Sequence, residues 1–195
     1  MDKTEARITL AIDAMGSDQG PEEVLAGVSQ ALDLAPRNTE FHLFGREELL
    51  NPIMEQFPNL MNGQAQVHHA PEIVEMDEKP IAGIKGKKKS SMSIALQSLK
   101  EGTADALLSC GNTGCLMAGS AIRLRTLEGV ERPALCTIWP GRERYFTLLD
   151  AGANPHAKPY HIVQSAILGS NYARVALGLV RPKVGLHTIG TEEVK

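Results

Sequence analysis

The chain has 195 residues, enough to bury one sizeable core, and its composition of 43% hydrophobic but only 4% aromatic residues calls for an aliphatic interior of the kind found in a sheet covered on both faces. Its 20 basic and 23 acidic residues give a net charge of −3, which offers no ground for a nucleic-acid partner. The odd cysteine count (Cys110, Cys115, Cys136) argues against a secreted disulfide scaffold, and a charged N-terminus with no long apolar run makes the cytoplasm the expected compartment.

Taken in order, the first predicted element is a strand over Ile8 to Ile12, ending at Asp13. A turn, Gly16-Ser17-Asp18-Gln19-Gly20-Pro21, leads into a helix marked by Val24, Val28 and Leu32, with Pro21 and two glutamates suited to its first turn. Phe41 to Phe44 predicts a strand stopped by Gly45, and Glu47 to Phe57 a short helix confined to one side of Pro52. Val67 closes a further short strand that runs into His68-His69-Ala70-Pro71. From Pro71 to Ser91, proline, glycine and charge mix without periodicity, which predicts a loop-rich excursion.

Met92, Ala95, Leu96 and Leu99 then mark a helical face, with Ser90 or Ser91 placed to cap it. Ala104 to Ser109 is the best strand candidate and feeds Gly111-Asn112-Thr113-Gly114, followed by a helix over Leu116 to Leu124. Ala134 to Ile138 and Tyr145 to Leu149 predict strands joined through Pro140-Gly141-Arg142, then a long helix from Pro159 to Leu177 and a last strand from Val184 to Ile189. This alternation predicts a single α/β domain over residues 1–195, a doubly wound or related sandwich with right-handed crossovers. The chain stops just past an apolar run with no closing helix, so the expectation is the N-terminal portion of a longer chain.

Chemistry in such folds gathers beyond the carboxyl ends of the strands. The loops there combine glycine with small polar residues: Asp13-Ala14-Met15-Gly16-Ser17-Asp18, Ser109-Cys110-Gly111-Asn112-Thr113-Gly114, Asp150-Ala151-Gly152-Ala153-Asn154 and Thr188-Ile189-Gly190. Each alone is compatible with an ordinary tight turn, but together they point to anion binding by backbone amides at helix starts. No dinucleotide fingerprint is present. Gly83-Ile84-Lys85-Gly86-Lys87-Lys88-Lys89-Ser90 misses a P-loop by one glycine and lacks a leading strand. Lys85, Lys87, Lys88 and Lys89 are either a solvated basic loop or a grip on phosphate or an acidic partner. His68 and His69 point oppositely on an extended chain and make a poor metal pair. Ser109 lacks a nucleophile elbow, and Cys110, at a strand–helix junction, is expected to be buried and inert rather than a thiolate nucleophile.

The chain resembles the bacterial phosphate acyltransferases of phospholipid synthesis. The resemblance rests on Leu10-Ala11-Ile12-Asp13-Ala14-Met15-Gly16-Ser17-Asp18, His69-Ala70-Pro71-Glu72-Ile73-Val74-Glu75-Met76, Lys88-Lys89-Ser90-Ser91-Met92, Ser109-Cys110-Gly111-Asn112-Thr113-Gly114, Leu149-Asp150-Ala151-Gly152-Ala153-Asn154 and Ile189-Gly190-Thr191-Glu192, in that order along the whole chain. Four positions depart from the common pattern: Ser17 for glycine, Ala151 for valine, Ala157 for cysteine and Thr188 for asparagine.

The resemblance implies a three-layer α/β/α sandwich with a mostly parallel sheet, similar to phosphotransacetylases and to isocitrate and isopropylmalate dehydrogenases. It implies transfer of a fatty acyl group from acyl-carrier-protein to orthophosphate, without a cofactor or metal, by a homodimer whose acyl-phosphate product goes to a membrane glycerol-3-phosphate acyltransferase. Peripheral membrane contact would come through a region absent from this chain.

Onto that reaction the residues map as follows. Asn112, Asn154 and Lys89 are the expected catalytic donors, and Ser90, Gly111, Thr113 and Gly114 the expected phosphate ligands. Asp13, Asp18 and Asp150, repelled by phosphate, are expected to orient lysines or loop amides, while Lys85, Lys87 and Lys88 attract the acidic carrier. The competing expectations are a coenzyme A-dependent phosphate acyltransferase, a decarboxylating dehydrogenase on a related sheet, and a non-catalytic anion- or carrier-binding fragment.

Overall fold

The structure is a computed structural model that describes residues 6–151 and 157–187. The chain divides into two compact units, Met1–Arg125 and Thr126–Lys195.

In the first unit, strands β1 (Ile8–Asp13), β2 (Thr39–Gly45), β3 (Ala65–His69) and β4 (Ala106–Ser109) form a four-stranded, all-parallel sheet in the order β3-β2-β1-β4. The helices are α1 (Pro21–Leu34), α2 (Glu47–Met54), α3 (Pro80–Gly86), α4 (Ser91–Glu101) and α5 (Thr113–Arg123). Side chains alternate across the sheet as the pleat requires. Ile12, Phe41 and Leu43 enter a core with Leu25, Val28 and Leu32 of α1 and Leu50 and Ile53 of α2. Ala11 and Phe44 face Ala95 of α4 on the other side. Leu25, Leu43 and Leu50 are wholly buried, each stabilising the fold by roughly 1.5–3 kcal/mol. The sandwich expected from the sequence is therefore present: helices on both faces of a parallel sheet.

Two local expectations need correction. Pro52 does not confine the short helix to one side; it lies inside α2. The helix has only eight residues, so a single backbone bond is forfeited, and burial of Leu50, Ile53 and Met54 offsets that loss. The passage from Pro71 to Ser91 is not loop throughout, because α3 forms within it. Pro80 presets its first turn, and close packing on α5 overrides the poor propensity of Gly83 and Gly86. A side chain at Gly83 would meet Cys115 Sγ at 3.0 Å, and one at Gly114 would meet Pro80 Cγ at 2.8 Å. The near-P-loop segment is thus the end of α3 and the turn after it.

In the second unit, β5 (Cys136–Pro140) and β6 (Tyr145–Leu149) form an antiparallel hairpin, and α6 (Pro159–Ala176) packs against β6 where Gly169 admits Leu149. The start of α6 is tied down by Tyr160, whose hydroxyl donates to Glu131 Oε2 at 2.7 Å. The strand expected from Val184 does not form over residues 184–187, which pair with no strand among the described residues; an apolar run becomes a strand only where a neighbour takes its backbone groups. Thr188 and Ile189 lie outside the described residues. No helix among the described residues is long and apolar enough to cross a membrane.

Candidate active site

The sheet reverses its winding between β1 and β4. From β1 the chain steps outward to β2 and β3, then returns across to pair β4 with the other edge of β1. The carboxyl ends of two strands that wind in opposite senses open a crevice between their loops. Register places Asp13 directly beside Ser109 at that point, and the loops that follow are two of the glycine-rich loops singled out in the sequence.

Those loops touch through backbone. A side chain at Gly16 would lie 2.6 Å from Asp13 Oδ2 and 3.0 Å from Gly111 Cα, and one at Gly111 would lie 3.2 Å from Gly16 Cα and from Met92 Cε. Glycine at both positions lets the two backbones approach this closely. Asp13 is 2% exposed; its Oδ2 accepts from Ser109 Oγ at 2.7 Å and its Oδ1 from the Met15 amide at 3.4 Å. Ser109 Oγ in turn accepts from the Gly111 amide at 3.1 Å. Asp18 is exposed on the neighbouring turn, where the Ser17 hydroxyl accepts from the Gln19 amide at 3.2 Å.

Asn112 caps α5: its Oδ1 accepts from the Cys115 amide at 2.9 Å. Its Nδ2 faces three carbonyls, those of Met76 at 2.8 Å, Glu78 at 3.0 Å and Glu75 at 3.2 Å. The buried side chain therefore joins the start of α5 to the segment before α3. The Gly111 amide is turned back to Ser109, while Thr113 is exposed and Gly114 half-buried. Among the described residues nothing accepts from the Thr113 or Gly114 amides, the first two of the helix.

Ser90 is completely buried and caps α4: its hydroxyl donates to the Lys87 carbonyl at 2.9 Å and accepts from the Ser93 amide at 3.2 Å. Glu72 closes the same helix start, its carbonyl accepting from the Ser91 amide at 3.1 Å and its Oε2 from the Lys89 amide at 2.8 Å. Lys87 Nζ is shared between the Glu78 carboxylate and the Ile73 carbonyl. A backbone hydrogen bond from Glu75, then the Lys87 ammonium, hold the Glu78 carboxyl below its ordinary range, and Glu78 raises Lys87 reciprocally. The side chains of Lys85, Lys88 and Lys89 are exposed.

Cys110 is exposed, against the expectation of a buried thiol; it follows the last strand residue and so escapes the packing that buries Cys115 on the first turn of α5. Burial raises the Cys115 thiol above its ordinary range. His68 stacks on Phe44 (ring centroids 4.9 Å apart) and lies 4.5 Å from the ring of His42, whereas His69 is exposed. Asp150 belongs to the second unit and adopts a left-handed φ of 62° directly after β6. Asn154 lies outside the described residues.

The structure adds three residues that the sequence had not placed in the site: Glu72 and Glu78, which tie down the segment before α3, and Ser109, which bridges Asp13 to Gly111. Glu72 and Ser109 stand within matched motifs and Glu78 just beyond one, but nothing in the sequence gave them a role in the site.

Comparison with known proteins identifies the family of the chain. The family model described as fatty acid synthesis protein matches residues 8–195. The chain belongs to this family. It is 43% identical over 186 residues to a phosphate acyltransferase of Desulfitobacterium hafniense, covering 95% of this chain and 54% of that one. It is 42% identical over 191 residues to a phosphate acyltransferase of Azorhizobium caulinodans and 41% identical over 191 residues to one of Cereibacter sphaeroides, covering 97% of this chain and 53% and 51% of theirs. The chain thus spans about half the length of the curated relatives it matches.

Proposed function

We propose that the chain carries the phosphate-holding portion of a phosphate acyltransferase, which moves a fatty acyl group from acyl-carrier-protein to orthophosphate. The observation that carries this reading is the open start of α5 in the β1/β4 crevice, in a chain akin to proteins named phosphate acyltransferase. The Thr113 and Gly114 amides and the positive end of the helix dipole hold the anion. Asn112 and Ser90 build the two helix starts beside it, and Lys89 supplies positive charge. Asp13 orients the β4–α5 loop, with Asp18 and Asp150 assigned the same kind of role in their own loops, and Asn154 is assigned to the developing oxyanion.

A phosphate oxygen attacks the thioester carbonyl carbon, forming the new C–O bond. The tetrahedral intermediate collapses with cleavage of C–S, and the carrier leaves as a thiolate that takes up a proton from solvent. Positioning and oxyanion stabilisation supply the acceleration. The exposed thiol of Cys110 supports a second route through an acyl-cysteine. Rapid quenching of the complete enzyme with labelled acyl-carrier-protein and no phosphate separates the two: direct attack leaves the protein mass unchanged, and a thioester on Cys110 that forms and decays at the turnover rate overturns it.

Lys85 and Lys88 are proposed to attract the acidic carrier, with Lys87 contributing least because its ammonium is already shared with Glu78. Reversing Lys85 and Lys88 to glutamate is expected to raise KM for acyl-carrier-protein about tenfold at low salt, and less at physiological ionic strength. Acyl-coenzyme A should be affected less; turnover of that thioester in preference to the carrier's would favour the coenzyme A reading. The remainder of the proposal is a homodimer in the cytoplasm, peripheral to the membrane where a glycerol-3-phosphate acyltransferase consumes the product.

A further inference from the structure

The buried Asp13 carboxylate calls for an explanation of its own. It sits 2% exposed at the carboxyl end of β1, at the point where the sheet reverses, and no lysine or arginine pairs with it among the described residues. Burying a carboxylate is costly unless strong donors face it. The short donor is Ser109 Oγ at 2.7 Å, set in register across the β1–β4 pair, while the Met15 amide at 3.4 Å is long. A serine hydroxyl has one proton and two lone pairs. With its proton committed to Asp13, Ser109 presents a lone pair to the Gly111 amide, 3.1 Å away. Gly16 packs against both ends of this chain of bonds: a side chain there would lie 2.6 Å from Asp13 Oδ2 and 3.0 Å from the Gly111 backbone nitrogen.

We propose that Ser109 is a positioning residue for phosphate, transmitting the fixed charge of Asp13 to the Gly111 amide and so setting the direction of the peptide that enters the α5 start. Turning the Gly111 N–H inward fixes the Cys110–Gly111 peptide plane. The following amides, at Thr113 and Gly114, are then presented to the crevice before an anion arrives. Gly111 is thus a built part of the cradle, its own amide spent on Ser109. Preorganised donors of this kind hold an anion without reorganisation on binding. The inference rests on the phosphate site proposed above and adds a residue whose chemistry is neither nucleophilic nor ligand-binding.

The test uses the complete enzyme, with phosphate and acyl-carrier-protein thioester varied separately. Ser109→Ala is expected to raise KM for phosphate by about tenfold to a hundredfold, the effect of losing a hydrogen bond to a charged group, with KM for the thioester changed by less than about twofold. Ser109→Thr, which keeps the hydroxyl on a side chain well suited to a strand, is expected to restore phosphate KM to within about threefold. Equal rises in both constants, or no rescue by threonine, would show a merely structural role and overturn the relay. Should Ser109→Ala not fold, Asp13→Asn carries the same test: it keeps volume and an acceptor but removes the charge, and a phosphate KM equal to that of the parent overturns the relay. Hydrogen exchange of the peptide spanning residues 110–116, with and without inorganic phosphate, keeps the two levels apart. If phosphate fails to protect that peptide in the parent enzyme, the site itself is misplaced. If phosphate protects it and Ser109→Ala leaves phosphate KM unchanged, the relay alone fails.

Discussion

The helices α4 and α5 begin alike and end up in different chemical states. Each is capped by a short polar side chain whose oxygen accepts from the third amide of the helix, Ser90 from Ser93 and Asn112 from Cys115. Each lies at the carboxyl edge of the same sheet. At α4 Glu72 lies across the start: its backbone carbonyl takes the Ser91 amide, and its carboxylate takes the Lys89 amide just before the cap. At α5 no acid intervenes, and the Thr113 and Gly114 amides face no acceptor among the described residues. A helix start binds an anion only if the protein has not already supplied one. The cap residue says where a helix begins, and what lies opposite it decides whether that beginning is structural or functional.

The comparison breaks most completely if the loop that enters α5 is pushed away from the end of β1. Gly16→Ala places a methyl within 2.6 Å of Asp13 Oδ2 and against the Gly111 backbone. Thermal unfolding should show a loss of about 1–3 kcal/mol, the usual cost of overpacking, together with nearly complete loss of phosphate-dependent turnover; near-parental activity would show that the loop contact is not needed for the site. Next comes Asn112→Ala, which removes the α5 cap and the donors facing the Glu75, Met76 and Glu78 carbonyls. Denaturant unfolding should register about 2–3 kcal/mol, with turnover falling alongside. Ser90→Ala should cost only about 1 kcal/mol. A rise in phosphate KM as large as that of Asn112→Ala would show that both helix starts share the anion and would erase the contrast.

The smallest effect concerns protons. Burial depresses both His42 and His68, the second further by its neighbour His42, so the folded state favours their neutral forms. The unfolded chain binds protons at its ordinary histidine value, about 6.5, where the folded chain does not. Stability is therefore full above that pH and declines as pH falls below it. His68→Phe should flatten the slope of melting temperature between about pH 6.5 and pH 5; an unchanged slope would place the acid sensitivity elsewhere.

Most of the scaffold was legible because it depends on neighbours in sequence. The apolar spacing of Val28 and Leu32 announced α1, and Met92, Ala95 and Leu96 announced α4. Position alone narrowed the α4 cap to Ser90 or Ser91, and the structure assigns it to Ser90. What escaped were features that exist only once distant segments meet. Helix α3 is built on glycines that read as loop, and it persists because α5 packs against Gly83. Pro52 reads as a stop signal, yet burial of the residues around it decides the matter. The glycine loops pointed to an anion site, but the role proposed for Ser109 depends on the β1–β4 register, and the closure of α4 depends on Glu72, which is bridged to Ser90 from the distant segment after β3. Lys87 looked like one of three equivalent carrier-attracting cations until the structure gave it Glu78 as a partner.

The strand order also has a consequence for how the protein comes into being. β1 meets β2 after one short crossover, but its other edge waits for β4, and the Asp13–Ser109 bond joins residues 96 positions apart. Closing so long a loop is among the slower steps open to a folding chain. As synthesis proceeds, the first three strands can assemble while the fourth is still on the ribosome, leaving one side of β1 with unpaired backbone groups, a template for unwanted pairing with another nascent chain. The arrival of β4 pairs that side of β1 in the same event that brings Ser109 to Asp13, so a molecule whose crevice is assembled is also one in which β1 has become an interior strand.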